Sequence, residues 1–160
     1  MTELLLWADY HQIHVYDDGS QTDLGDAWTA QAVEDALAVN HDIVGVRTTV
    51  NVNVLVTVEL LDARPPDDSG AFDHVVEVSF HNSSGQLVVM GCSDYEPTAK
   101  RFIVATGWLR LRASRWNLYN AYLADIHSDG TDETTEQIRL QIWPGERDDL
   151  VVTKRWRPEV

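Results

Sequence analysis

Aliphatic and polar positions alternate almost without a break along residues 49–62. Val50, Val52, Val54, Val56, Val58 and Leu60 fall on even positions, with Asn51, Asn53, Thr57 and Glu59 between them; Leu55 and Leu61 break the rule. Successive strand side chains point to opposite faces, so this period predicts a strand with one buried and one mostly wet face. At about 3.3 Å per residue it would run ~40 Å, long enough that a bend is expected. The alternation returns in Leu4–Tyr16 (one strand or two), in His74, Val76, Val78 and Phe80, and in Ile138, Leu140 and Ile142. Leu150–Lys154 would add an edge strand.

Turn residues divide these runs. Asp17-Asp18-Gly19-Ser20 closes the first. Asn82-Ser83-Ser84-Gly85 predicts a hairpin joining His74–His81 to Gln86–Met90, and Thr106-Gly107 a second joining Arg101–Ala105 to Trp108–Ser114. One segment has helical character. Thr29 is a good N-cap for Ala30–Val39, Trp28 can staple to Val33, and Asn40 can close the helix in a left-handed conformation. Asp62–Asp73 and Ser128–Glu136 read as exposed acidic loops. The expected fold is an all-β antiparallel sandwich of about seven or eight strands with one short helix at residues 29–40. A chain of 160 residues suits a single domain, 1–160, that buries about 70% of its unfolded surface.

Charge is distributed unevenly. Residues 1–99 carry 17 acids and 2 bases, whereas residues 100–160 carry 9 acids and 10 bases, within a net of −14. Such a field repels nucleic acid and anionic lipid and speeds encounter with a basic protein, although an acidic surface also serves solubility alone. Asp17, Asp18, Asp23, Asp26, Glu34 and Asp35 form the expected contact patch, being close in sequence on a turn, a loop and a helix. Asp67 and Asp68 would join them if their loop folds to the same end.

Catalytic and metal chemistry finds little support. His11 and His14 lie at odd spacing, which on a strand puts them on opposite faces, and Cys92 is the only cysteine. Gly130 follows acids at the first and fifth positions of a calcium loop, but His127 holds the third. Phosphate-binding glycine loops and the Gly-x-Ser-x-Gly elbow are absent. A non-enzymatic protein without cofactor or metal is expected. The chain shows no signal-peptide pattern and no apolar run of membrane-spanning length, so the expected location is cytoplasmic.

Trp108, Arg110 and Arg112 share one face of a strand. They could stack on a nucleic acid, but in so acidic a chain cross-strand pairing with carboxylates is the favoured reading. The second functional class is a small-molecule or glycan-binding sandwich, with Trp108, Trp116, Tyr119 and Tyr122 as a stacking surface.

Several stretches in the same order resemble the competence-J family, small bacterial inhibitors of a DNA-entry nuclease. They are Tyr10-His11-Gln12, Trp28-Thr29, Ala32-Val33-Glu34, Asp42-Ile43-Val44 leading through Asn51, and Arg101-Phe102 to Trp108-Leu109-Arg110-Leu111. The chain departs from the family in its acidic loops and in the segment after Trp143-Pro144-Gly145. The resemblance implies a binding protein whose partner is a nuclease, with its carboxylates occluding a cationic DNA groove.

Overall fold

The computed structural model describes residues 1–157. Eleven strands among them form two sheets. The first contains, in spatial order, β1 (Thr2–Trp7), β5 (Asn53–Leu60), β10 (Gln137–Pro144), β9 (Gly107–Trp116), β6 (His74–Asn82) and β11 (Val151–Lys154). The second contains β3 (Leu37–Asn40), β4 (Ile43–Arg47), β2 (Gln12–Asp17), β7 (Gln86–Gly91) and β8 (Lys100–Ile103). Neighbours are antiparallel except β5 and β10, which run parallel.

The alternating residues line the space between the sheets. Val54, Val56 and Val58 meet Ile138, Leu140 and Ile142 of the adjacent strand, and Phe80, Leu109 and Leu111 extend the layer. Ile13, Val15, Val44, Val46, Leu87 and Val89 face them from the second sheet. The all-β sandwich expectation therefore holds, with eleven strands instead of seven or eight. Leu4–Tyr16 divides into β1 and β2, and β3 and β4 are additions. These last two are short and buried along most of their length, so they carry no clean alternation.

The helix is half as long as expected. α1 spans Ala30–Asp35, and the Thr29 hydroxyl accepts the Ala32 amide at 3.1 Å as an N-cap should. Ala36 ends it with φ +60°, donating its amide to Ala32 and Val33. Leu37 then enters the main core and Ala38 the opposite face of the sheet, so burial on both faces outweighs helical propensity. A second short helix, α2 (Leu118–Ala124), is entered through Asn117 at φ +64°. The Asn117 side-chain amide donates to the carbonyls of Asp132, Glu133 and Thr135.

Both expected hairpins are corrected. β6 belongs to the first sheet and β7 to the second; likewise β8 lies in the second and β9 in the first. The turns at 82–85 and 104–106 are arches from sheet to sheet, and they touch where the Val104 amide donates to the Gly85 carbonyl at 3.0 Å. Turn chemistry fixes a reversal of direction but not whether the strands beyond it share a ladder. Ser128–Glu136 also departs from expectation at its end: Glu136 is fully buried against Arg115.

The outer face of the first sheet is buried yet polar. Glu77 lies opposite Arg112 across β6 and β9, with Oε2 2.9 Å from the Arg112 Nε and Oε1 3.4 Å from the Arg110 Nε. Arg112 also donates to the carbonyls of Pro65 and Pro66, and Arg110 to those of Asp148 and Asp149. These arginines thus pin two loops to the sheet, in the cross-strand pairing favoured over a nucleic-acid platform.

Candidate functional site

The eight acids of the expected patch are not brought together. Asp17 is buried at the end of β2 and accepts hydrogen bonds from Asn82, Ser83 and Ser84. Asp35 is buried at the end of α1, where its carboxylate accepts from Gln31 at 2.9 Å and Arg155 at 2.7 Å. Asp68 forms a bidentate pair with Arg139, both distances 2.7 Å. Asp67 accepts the Ser69 amide in the same loop, which covers the first sheet. Asp67 and Asp68 therefore do not fold to the end that holds Asp18 and Asp23. Asp26 and Glu34 are exposed, on the turn before α1 and on α1 itself.

Asp18 and Asp23 do converge. Segment 19–28 folds over the outer face of the second sheet, where Leu24 and Trp28 pack with Tyr16, Ile43, Val88 and Met90. Gly45 makes this possible: a Cβ there would sit 2.7 Å from Leu24 Cδ1 and 2.8 Å from Trp28 Cζ2. Between this flap and the sheet lies a cleft of about 510 Å³, lined by Asp18, Asp23 and Glu96 and by the apolar Leu24, Ile43 and Met90. Arg101 bridges two of its carboxylates, with Nε 3.5 Å from Asp18 and Nη2 paired to Glu96. Asp42 stands behind, accepting the Ser20 hydroxyl at 2.8 Å.

Neighbouring groups register this environment. Burial, with Glu96 and Asp18 beside it, pushes the Tyr16 hydroxyl up to about 12, so it stays protonated. Burial lowers His14 to about 4, so the imidazole lining the cleft is neutral at pH 7. Carboxylates above an apolar floor suit a lysine or arginine, whose alkyl stem covers the floor while its cation meets the acids. Glu96 was missed by sequence reasoning. It lies far along the chain from Asp18 and Asp23, and no local pattern marks it.

The expected aromatic surface divides in two. Trp108, at the start of β9, meets His41 and His81 edge-on at 5.8 and 5.2 Å, while Trp116 stands at the strand's far end. Trp116, Tyr119 and Tyr122 are exposed around α2. Among the described residues, no group of three His, Cys, Asp or Glu side chains is arranged to hold a metal ion. No described helix is long and apolar enough to cross a membrane.

No family model matches this sequence, and no curated protein matches it. Two solved structures match its fold. One is ComJ from Bacillus subtilis, an inhibitor of the DNA-degrading activity of NucA, at a TM-score of 0.64 and 16% identity, covering 89% of this chain and 95% of that one. The other is described as crocagin biosynthetic gene J, at a TM-score of 0.59 and 21% identity, covering 90% of this chain and 96% of that one. The resemblance to the competence-J family is thus one of fold, extending over about nine-tenths of the chain.

Proposed function

We propose that this chain is a non-catalytic binding protein that inhibits a basic protein partner, a nuclease in kind. The observation that carries this reading is the shared fold with a nuclease inhibitor along nearly the whole of both chains. The charge asymmetry supports it, because the acidic cleft lies within the part of the chain that holds 17 of the 26 acids.

The proposed contact set is Asp18, Asp23 and Glu96 around the cleft, extended by Asp26 and Glu34 towards α1. Their carboxylates stand in for phosphates, and a lysine or arginine of the partner's DNA groove enters the cleft. Asp17, Asp35 and Asp68 act indirectly, by holding the scaffold that presents the others. Rim charges mainly govern how fast the partners meet, so association should slow steeply as salt rises.

The test is a low-salt pull-down from native lysate with salt-step elution, followed by assay of DNA cleavage by the eluted protein. A basic nuclease, inhibited in proportion to added protein, is the expected result. The triple variant Asp18→Asn, Asp23→Asn, Glu96→Gln should slow its association by about tenfold at low salt. Association that is unchanged in this variant would overturn the contact set; recovery of no nuclease would overturn the inhibitor reading.

A further inference from the structure

A second cavity, of about 400 Å³, opens at one end of the sandwich and shares no lining residue with the acidic cleft. It lies between α1, the end of β4, the start of β6, the end of β9, α2 and the segment after β11. In a protein with 26 acids and 12 bases, four arginines line it, Arg47, Arg115, Arg155 and Arg157, against the single carboxylate of Glu34. Tyr122 and Trp156 form an aromatic corner on one wall, with ring centroids 6.5 Å apart at 66°.

The arginines are not equivalent. Arg155 is engaged, donating to the Glu34 carbonyl and the Asp35 carboxylate. Arg115 is only 2% exposed, and its Nε donates to Glu136 at 3.1 Å. Its two Nη groups have no acceptor among the described residues, although the side chain lines the cavity. Glu136 is itself occupied on its other oxygen, which accepts the amide and hydroxyl of Thr49. Arg47 is exposed, shares the cavity wall with Arg115 and forms no ion pair among the described residues. Guanidinium donors that line a cavity without a protein acceptor are available to a ligand oxyanion, and two neighbouring cations are relieved by a shared anion. His74 offers no alternative. Its Nε2 is 2.8 Å from the Asp35 carbonyl and its Nδ1 accepts the Trp156 amide at 3.1 Å, so the neutral ring is fully used.

We infer that this cavity binds a small organic anion, a carboxylate or phosphate on a flat apolar body. The oxyanion lies between Arg47 and Arg115, and the body rests against Trp156 and Tyr122. Guanidinium groups match the planar, paired acceptors of such a headgroup, and a cavity of this size encloses a small molecule. The net charge of −14 disfavours loose attraction of anions to the rest of the surface, which makes the local cluster selective. The inference does not depend on the nuclease reading: of the proposed contact set only Glu34 borders this cavity, and the anion is held by Arg47 and Arg115.

Calorimetric titration of the full chain with phenyl phosphate and with benzoate tests it, with inorganic phosphate and benzyl alcohol as the separated halves. Saturable binding of either whole anion with Kd below ~1 mM is expected, at least about tenfold tighter than the matching half. The preferred headgroup identifies the ligand as a carboxylate or a phosphate ester. Arg47→Gln, an exposed position, should weaken binding about tenfold without shifting the thermal midpoint; Arg157→Gln should weaken it in the same direction. Arg101→Gln, in the acidic cleft, should leave it unchanged. Absence of saturation up to ~10 mM, equal binding by Arg47→Gln, or benzyl alcohol binding as tightly as benzoate would each overturn the assignment.

Discussion

The Asp17 carboxylate accepts the Ser84 hydroxyl at 2.6 Å and the Ser84 amide at 3.1 Å, joining residues 67 apart in sequence. It also accepts the Ser83 amide and the Asn82 side-chain amide, both at 3.0 Å. The end of β2 in one sheet therefore holds the arch that arrives from the other. Asp17→Ala would leave these donors, one of them on the buried Asn82, without their acceptor. A loss of ~2–4 kcal/mol is expected in urea unfolding, against under ~0.5 kcal/mol for the exposed Asp26→Ala. Equal midpoints for the two variants would remove Asp17 from the scaffold.

Among the described residues, Glu77 is the single carboxylate paired with Arg64, Arg110 and Arg112. Glu77→Leu strands two buried guanidinium groups and should cost ~3–5 kcal/mol, whereas Arg64→Ala, at a half-exposed side chain, should cost at most ~1 kcal/mol. Because Arg110 and Arg112 hold the loops at 65–66 and 148–149, limited proteolysis should cut Glu77→Leu first in those loops. Wild-type resistance there in the variant would contradict the pinning role.

Acidification should weaken the fold before the carboxylates titrate. Burial holds His14 and His74 at about 4, below the ordinary 6.5, and for His74 the nearby Arg115 adds to the effect. Between those values the unfolded chain binds more protons than the folded one, so stability rises with pH across the window. It is complete above ~6.5 and falls as pH drops towards ~4, by at most ~3 kcal/mol per histidine. Protonated His74 would also set a new N–H against the Trp156 amide. The urea midpoint followed from pH 7 to pH 4 checks this, and His74→Gln should flatten part of the slope. A midpoint constant over that range would refute it.

Two glycines should resist substitution unequally. A Cβ at Gly91 would lie 2.2 Å from the Trp7 carbonyl oxygen, so the backbone of β1 or β7 must shift. At Gly45 the clash is with the side chains of Leu24 and Trp28, which can move with the flap. Gly91→Ala should therefore cost ~2–3 kcal/mol and Gly45→Ala ~1–2 kcal/mol, read from thermal midpoints. Gly45→Ala should in addition quench or shift tryptophan fluorescence, because Trp28 is displaced. The reverse order of cost would show that the flap is the stiffer element.

The alternation of Val54, Val56 and Val58, and of Ile138, Leu140 and Ile142, determined which face of each strand is buried, because a period of two is a local property. Thr29 likewise marked the start of α1, since a cap needs only the next turn. Composition determined the acidic bias of residues 1–99. Sheet membership, however, depends on partners distant in sequence, so two turns with hairpin chemistry became arches between sheets. Leu37–Asn40 became a strand for the same reason, once β4 offered it a ladder. The fate of each charge was decided only by tertiary structure. An acid is a solvated surface group or a buried anchor according to what faces it, and Asp35 meets Arg155 across 120 residues while Asp18 is left to meet Glu96 around a cleft. The same folding gathers Arg47, Arg115, Arg155 and Arg157 at one end of an acidic protein, a concentration of positive charge no sequence window could show.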